Sequence, residues 1–244
     1  VLVKCDYIYH LAAFNGTQNF YNFPYKVIRN SSLPTINLVD FLVENNLSPK
    51  ILYTGSSEGY AESVNRHLID IPTNEEALVS LGDLKNPRWS YACAKTYGEY
   101  VLSNAYLEHG LNFLVARVHN IYGPRMGLNH FFSDFIKRVK EGIYEVYGPE
   151  QTRSFCYITD CCKALHLLMS SEENAEIFNI GSSREISVLD CAKIIMSIMN
   201  CNEEIVSLQA PKGSVSRRCP DIKKLTKLIG YNWDSVSLED GLAN

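Results

Sequence analysis

Residues 90–95 read Ser-Tyr-Ala-Cys-Ala-Lys, which sets Tyr91 and Lys95 four apart. On a helix that spacing brings a phenol and an ammonium to one face. A free tyrosine titrates near ~10, and a fixed positive charge beside it favours the phenolate. With a serine hydroxyl on the same substrate oxygen, such a pair suits removal of a proton from an alcohol while hydride leaves its carbon. The same hexapeptide also suits a surface helix with a polar stripe. Two other stretches bear on the choice. Thr54-Gly55-Ser56-Ser57-Glu58-Gly59-Tyr60 offers hydroxyls and a carboxylate, although a serine-rich turn satisfying its own backbone would read alike. His10-Leu11-Ala12-Ala13 ends in residues small enough for a flat ligand to approach the backbone, or simply for close packing.

The elements that must position these residues follow from periodicity. Cys5 to Ala13 reads as a short strand followed by small residues. Ile36, Val39, Leu42 and Val43 recur at the spacing of an amphipathic helix. Lys50 to Ser57 is apolar on both faces, as buried parallel strands are. A polar loop spans 61–88, and a helix from about Trp89 to His109 ends at Gly110. Leu111 to Val118 is the next strand, and shorter elements follow Pro124. Strand and helix alternate with no tight hairpin signal, which predicts a parallel α/β sheet covered on both faces and a smaller second lobe. Ligands of such sheets bind outside the carboxyl ends of the strands, where all three stretches fall.

The composition narrows the function. A chain of 244 residues, 46% hydrophobic, is long enough for one or two domains with a sizeable core. A net charge of −4 argues against a nucleic-acid partner. No apolar run approaches the roughly 20 residues of a spanning helix, and the first residues do not read as a secretory signal. The eight cysteines contain no Cys-x-x-Cys pair and sit in apolar segments. They are expected to be small core residues of a reduced protein, with no metal site. The cytoplasm is the expected compartment.

Taken together, "HLAA", "TGSSEGY", "YACAK", "RVHNIYGP" and "QTRSFCYITD" resemble the extended short-chain dehydrogenases/reductases, in particular the NAD-dependent nucleotide-sugar epimerases and dehydratases. The resemblance runs in order from Tyr7 to Leu242. It implies a Rossmann-type doubly wound sheet in residues 1–124. A smaller α/β lobe in 125–244 would mainly bind the nucleotide-sugar, with some of its segments returning to the sheet. It implies NAD as cofactor, Tyr91 as catalytic acid/base, Lys95 holding the nicotinamide ribose, and Ser56 and Glu58 acting at the sugar. Leu11, Ala12, Ala13, Thr54 and His119 would line the cofactor, and Ser57 and Asn120 would touch the substrate. Arg153 and one of Arg217 and Arg218, with Arg218 the better aligned, would grip the diphosphate, for which a guanidinium fork is suited. A homodimer through two helices is the family's habit.

The chain departs from the family in carrying neither the glycine-rich pyrophosphate turn nor the acidic partner of the adenosine ribose. It enters a strand almost at once and stops as a helix opens near Leu238. The expectation is therefore an N-terminally truncated chain whose Rossmann sheet lacks its first part, on the order of 60 residues. The shared first step would be oxidation at C4 of the sugar. Hydride return then gives a 4-epimerase like that of UDP-glucose, loss of water a 4,6-dehydratase, and loss of carbon dioxide a UDP-glucuronate decarboxylase. Dehydratases usually carry Asp-Glu where this chain has Ser57-Glu58, and the reading leans to epimerase. A non-catalytic NAD-binding regulator is the rival from another class, although such proteins often lose the tyrosine or lysine retained here.

Overall fold

The computed structural model describes residues 5–128, 130–210, 214–230 and 233–244. Strand β1 (Tyr7–His10) leads through α1 (Thr17–Asn22) and α2 (Pro24–Glu44) to β2 (Lys50–Ser56). A 3-10 turn (Ser57–Tyr60), α3 (Ala61–Asn65), a loop and a second 3-10 turn (Pro87–Trp89) precede α4 (Ser90–His109) and β3 (Phe113–Val118). Then come β4 (Ile121–Tyr122), α5 (Phe131–Lys140), β5 (Glu145–Tyr147), β6 (Thr152–Ser154), β7 (Cys156–Tyr157) and α6 (Ile158–Met169). The remainder is β8 (Glu176–Ile180), β9 (Glu185–Ser187), α7 (Val188–Ile198), β10 (Val206–Leu208), β11 (Arg217–Arg218), α8 (Lys223–Ile229) and α9 (Leu238–Ala243).

Among the described residues the main sheet is parallel throughout, in the order β1-β2-β3-β8. Side chains alternate across it, as the pleat demands. Leu52, Leu114, Ala116 and Phe178 face one way, onto Ala164 and Leu168 of α6 and Leu225 of α8. Ile51, Tyr53, Phe113 and Val115 face the other, onto Val39 and Leu42 of α2 and Leu102 of α4. Burying one such side chain stabilises the fold by about 2 kcal/mol. The second lobe has its own core, in which Phe132 and Phe135 of α5 meet Cys191 and Ile195 of α7. Its strands form small sheets, including β11-β6-β9. The covered parallel sheet thus agrees with the alternation in the sequence.

Two expectations need correcting. The described residues open with a Rossmann unit, where the expectation was a sheet without its first strand and helix. The first described residues form a whole β1–α1–α2–β2 crossover, with β1 in parallel register from Tyr7 opposite Lys50 to His10 opposite Tyr53. The truncated-chain reading took the absent glycine-rich turn as a sign of absent strand and helix, but a βαβ unit needs only a buried strand and a crossover helix. The crossover helix is also longer than its apolar pattern suggested. It starts at Pro24, a residue suited to a first turn, and between Val27 and Val39 its inward face carries the buried polar residues Ser31, Ser32 and Thr35. Ser31 Oγ accepts from Phe14 N at 3.1 Å, and Thr35 Oγ1 lies 2.8 Å from His10 Nε2. Those bonds tie the end of β1 to the helix, so polarity hid a buried face.

Helix α4 carries the fold into the site. Its buried stripe runs Tyr91, Ala94, Lys95, Gly98, Glu99, Leu102 and Ala105, polar toward the N-terminus and apolar toward the C-terminus. Gly110 closes it in the left-handed conformation, φ 67°, donating to Tyr106 O. At Gly98 an added Cβ would collide with the Tyr53 hydroxyl and lie 2.6 Å from its Cζ. Tyr53 Oη in turn donates to Lys95 O at 3.3 Å. We predict that Gly98→Ala lowers stability by about 1–3 kcal/mol despite alanine's better helix propensity. Urea denaturation measures this, and an unchanged or raised midpoint would show that the helix can move off the sheet freely.

Candidate active site

The carboxyl ends of β1, β2 and β3 and the N-terminal half of α4 enclose one cluster. Lys95 is only 3% exposed. Its Nζ donates to Thr54 O at 2.7 Å and stands 4.8 Å over the Tyr53 ring and 5.9 Å from the Tyr91 ring centre. Burial pulls the Lys95 pKa down to about 8, with Glu99 opposing the fall. His10, at the end of β1, is pushed down to about 4 by burial and then by Lys95, and so is neutral at physiological pH. Thr54 Oγ1 donates to His10 O at 3.3 Å. The sheet edge therefore holds one buried cation against a backbone carbonyl.

Tyr91 is buried too, stacked on Phe20 of α1 with ring centres 5.1 Å apart. The expected lowering of its pKa by Lys95 does not dominate here. Burial, and then the Glu58 carboxylate, push it up to about 12, while a hydrogen bond from Ser56 pulls it back. Ser56 also caps the turn that follows, its Oγ accepting from Glu58 N at 3.2 Å. Ser57 is buried at the start of that turn.

Beyond Tyr91 the site is rich in guanidinium. Glu58 accepts from Arg218 Nη2 at 2.9 Å and from Arg88 Nη1 at 3.1 Å. Burial alone would raise the Glu58 pKa, but the two arginines outweigh it and hold the carboxylate below its ordinary range. Arg153 lies opposite Arg218 on the paired strands β6 and β11. Its guanidinium donates to Thr152 O at 2.8 Å and Gln151 Oε1 at 3.1 Å, both uncharged acceptors. Burial and then Arg218 push its pKa down to about 9. Two arginines thus share the Glu58 carboxylate, with Arg153 beside Arg218. Arg217 points elsewhere, pairing with Glu185 at 2.7 Å.

The remaining expected residues lie around this edge. Leu11 and Ala12 are exposed directly after β1, and Ala13 is half-buried. Asn120 adopts a left-handed φ of 41°, which asparagine tolerates, and its Nδ2 donates to Ser154 O at 3.0 Å. In this state its amide therefore braces β6. His119 follows Val118, which pairs with Ser56 across the sheet. Sequence reasoning missed Phe20, whose placement is purely tertiary. It also missed Arg88, which stands three residues before Tyr91, a helical-neighbour spacing that could have flagged it. Asn86 presents it, its Oδ1 accepting from Arg88 N at 3.0 Å.

A parallel sheet whose carboxyl edge carries a Tyr-x-x-x-Lys helix and a serine is the architecture of a Rossmann-type dehydrogenase/reductase. The model of the NAD dependent epimerase/dehydratase family matches residues 2–181, and the chain belongs to that family. UDP-glucuronic acid decarboxylase 1 of Xenopus tropicalis is 30% identical over 98% of this chain and 56% of its own length. UDP-glucuronic acid decarboxylase 5 of Arabidopsis thaliana is 29% identical over 99% of this chain and 69% of its own length. The chain thus spans little more than half to about two thirds of these relatives. A crystal structure of UDP-glucose 4-epimerase with UDP-glucose from Thermotoga maritima superposes with a TM-score of 0.86 at 26% identity, covering 99% of this chain and 76% of that one. Among the described residues no helix is long and apolar enough to cross a membrane, and no cluster of His, Cys, Asp or Glu could hold a metal ion.

The residues present fit the nicotinamide end of NAD. His119 is 1% exposed, and its Nε2 lies 3.2 Å from Asn179 Oδ1, which only accepts. Nε2 therefore carries the proton, and the buried Nδ1 is left as an acceptor without a partner. Ser90 Oγ, next to Tyr91, is buried and unpartnered as well. Orphaned polar atoms of this kind cost about 1–3 kcal/mol each, and a polar ligand at this edge would relieve them.

The arginine cluster makes stability pH-dependent in a definite direction. Glu58 titrates lower folded than its ordinary 4.5. Its stabilisation is therefore complete above that value and is lost as pH falls through the folded one. We predict that Glu58→Gln costs about 3 kcal/mol at neutral pH, because it removes the carboxylate that Arg88 and Arg218 share. The gap from wild type should narrow as pH falls through the folded value, which lies below 4.5. Urea titrations of both proteins across that range test this, and a gap independent of pH would mean that the ion pairs are not the source.

Proposed function

We propose that this protein is an NAD-dependent nucleotide-sugar enzyme that oxidises C4 of a UDP-uronic acid and releases carbon dioxide. The observation that carries this reading is the half-buried Arg153 guanidinium, which lies beside the Glu58–Arg218 pair and donates, among the described residues, to the uncharged acceptors Thr152 O, Gln151 Oε1 and Ser216 O. A substrate with both a diphosphate and a carboxylate would supply anionic acceptors instead. The similarity to UDP-glucuronic acid decarboxylases points the same way.

Residues 1–124 hold the cofactor in this reading, and 125–244 mainly hold the nucleotide-sugar. Tyr91 takes the proton of the C4 hydroxyl as the C4 hydride departs, and Ser56 steadies the same oxygen. Lys95 would hold the cofactor ribose when NAD is bound, and its charge near the Tyr91 ring favours the phenolate. The nicotinamide, when bound, supplies the hydride acceptor and a positive charge beside Tyr91. A C4 ketone lies β to the C6 carboxylate, so the electrons of the breaking C5–C6 bond flow into that carbonyl. Protonation at C5 and return of hydride to C4 then balance the reaction, leaving a pentose. Glu58, held ionised by its arginines, lies where it can order water or the sugar. Exposed Tyr25 and Ile28 of α2 and Tyr97 and Tyr100 of α4 offer a face for a homodimer.

A 4-epimerase is the second reading, favoured by the superposition on UDP-glucose 4-epimerase. Ser57 in place of an aspartate weighs against a 4,6-dehydratase. Incubation with UDP-glucuronic acid and NAD should yield a product lighter by carbon dioxide, whereas a product of unchanged mass but inverted C4 would establish epimerisation, and loss of water from a UDP-hexose would establish dehydration. Tyr91→Phe should lower turnover by about 1,000-fold, within the usual range for one acid/base group. Full activity in that variant would remove the enzymatic reading of the site.

A further inference from the structure

Lys95 has no carboxylate within ion-pair distance among the described residues, although its ammonium is nearly inaccessible to water. One turn on, Glu99 lies on the same buried stripe of α4. Its carboxylate is fixed by Arg117 of β3, whose Nε lies 3.2 and 3.1 Å from the two oxygens and whose Nη2 lies 2.7 Å from Oε2. Arg117 is fixed in turn, since its Nη1 donates to Tyr60 Oη at 2.5 Å and to Glu75 O at 3.0 Å. The carboxylate lies over Gly55, where an added Cβ would sit 2.5 Å from Glu99 Oε1 and 3.1 Å from Arg117 Cγ. Gly55 follows Thr54, whose carbonyl accepts the Lys95 proton. The ammonium and the carboxylate therefore flank the same stretch of β2.

We propose that Glu99, clamped by Arg117 and given room by Gly55, is a positioning residue that keeps Lys95 protonated at the sheet edge. The inference rests on the active-site reading of Tyr91 and Lys95 given above. The groups facing Lys95 are His10 from β1, the Thr54 carbonyl and Tyr53 ring from β2, and Tyr91 and Glu99 from its own helix. Arg117 stands behind Glu99. His10 is neutral at physiological pH, so among these groups Glu99 is the one carboxylate, and it favours the charged lysine alongside the Thr54 carbonyl and the Tyr53 ring. Arg117 does more than brace the fold, because a mobile carboxylate would be solvated instead of directed at β2. Glu99 touches neither substrate nor cofactor and acts only through Lys95.

The direct test follows the Lys95 side chain by NMR in protein carrying isotope-labelled lysine, with Lys95→Met to assign the signal. In Glu99→Gln, Lys95 should lose its proton about tenfold more readily. The loss of turnover at alkaline pH should move to lower pH with it, and Glu99→Asp should restore both. If Glu99→Gln leaves too much uncompensated charge on Arg117 to fold, Glu99→Gln combined with Arg117→Gln replaces it, and Lys95 should again titrate below wild type. An unmoved Lys95 midpoint in whichever variant folds overturns the inference. That failure is distinct from failure of the site itself, which would show as an active Tyr91→Phe enzyme.

Discussion

The contact on which the rest depends is the one between the Lys95 ammonium and the Thr54 carbonyl at the carboxyl edge of the sheet. A lone buried cation is costly, and several elements share in making this one tolerable. β2 supplies the carbonyl and the face of Tyr53, and α4 supplies the helical spacing that sets Lys95 beside Tyr91. Gly98 lets that helix approach Tyr53 closely enough for the contact to form. The apolar C-terminal half of α4, through Leu102 and Ala105, anchors the polar half where solvent would otherwise reach it.

The site is divided electrically. On one side the buried Lys95 ammonium sits with uncharged His10 beside it and the Glu99–Arg117 ion pair nearby. On the other, Arg88, Arg153 and Arg218 crowd around Glu58. Tyr91 lies between, its phenol kept protonated by burial and by Glu58. The geometry thus holds the proton in place until positive charge arrives next to the ring, which is what a bound nicotinamide would bring. Arg88 and Arg218 pair with Glu58, while Arg153 donates, among the described residues, to neutral acceptors.

Much of this was legible in the sequence where local spacing decides the outcome. Tyr91 and Lys95 share a face because they are four apart, Gly110 ends their helix, and the apolar run at Ile51–Tyr53 becomes a buried strand. What was not legible depends on contacts across the chain. Nothing near Phe20 shows that it will cover Tyr91, 71 residues distant in sequence. The inward face of α2 was obscured because Ser31 and Thr35 do there what leucine usually does. The absence of a glycine-rich turn was real as a sequence fact, but the inference from it to a missing strand and helix failed against the paired β1. The choice between Arg217 and Arg218 needed coordinates, since only the direction of each side chain separates a surface partner of Glu185 from a partner of Glu58.

The most direct measurement of the central claim is the titration of Tyr91 itself, followed by tyrosinate absorbance with and without NAD, using Tyr91→Phe as the blank. Without NAD the phenol should ionise near the value of about 12 that its burial and Glu58 impose. With NAD its ionisation should move toward neutrality. If the titration stays where it was although NAD is bound, Lys95 and the cofactor do not act on this phenol, and Tyr91 is not the acid/base of the site.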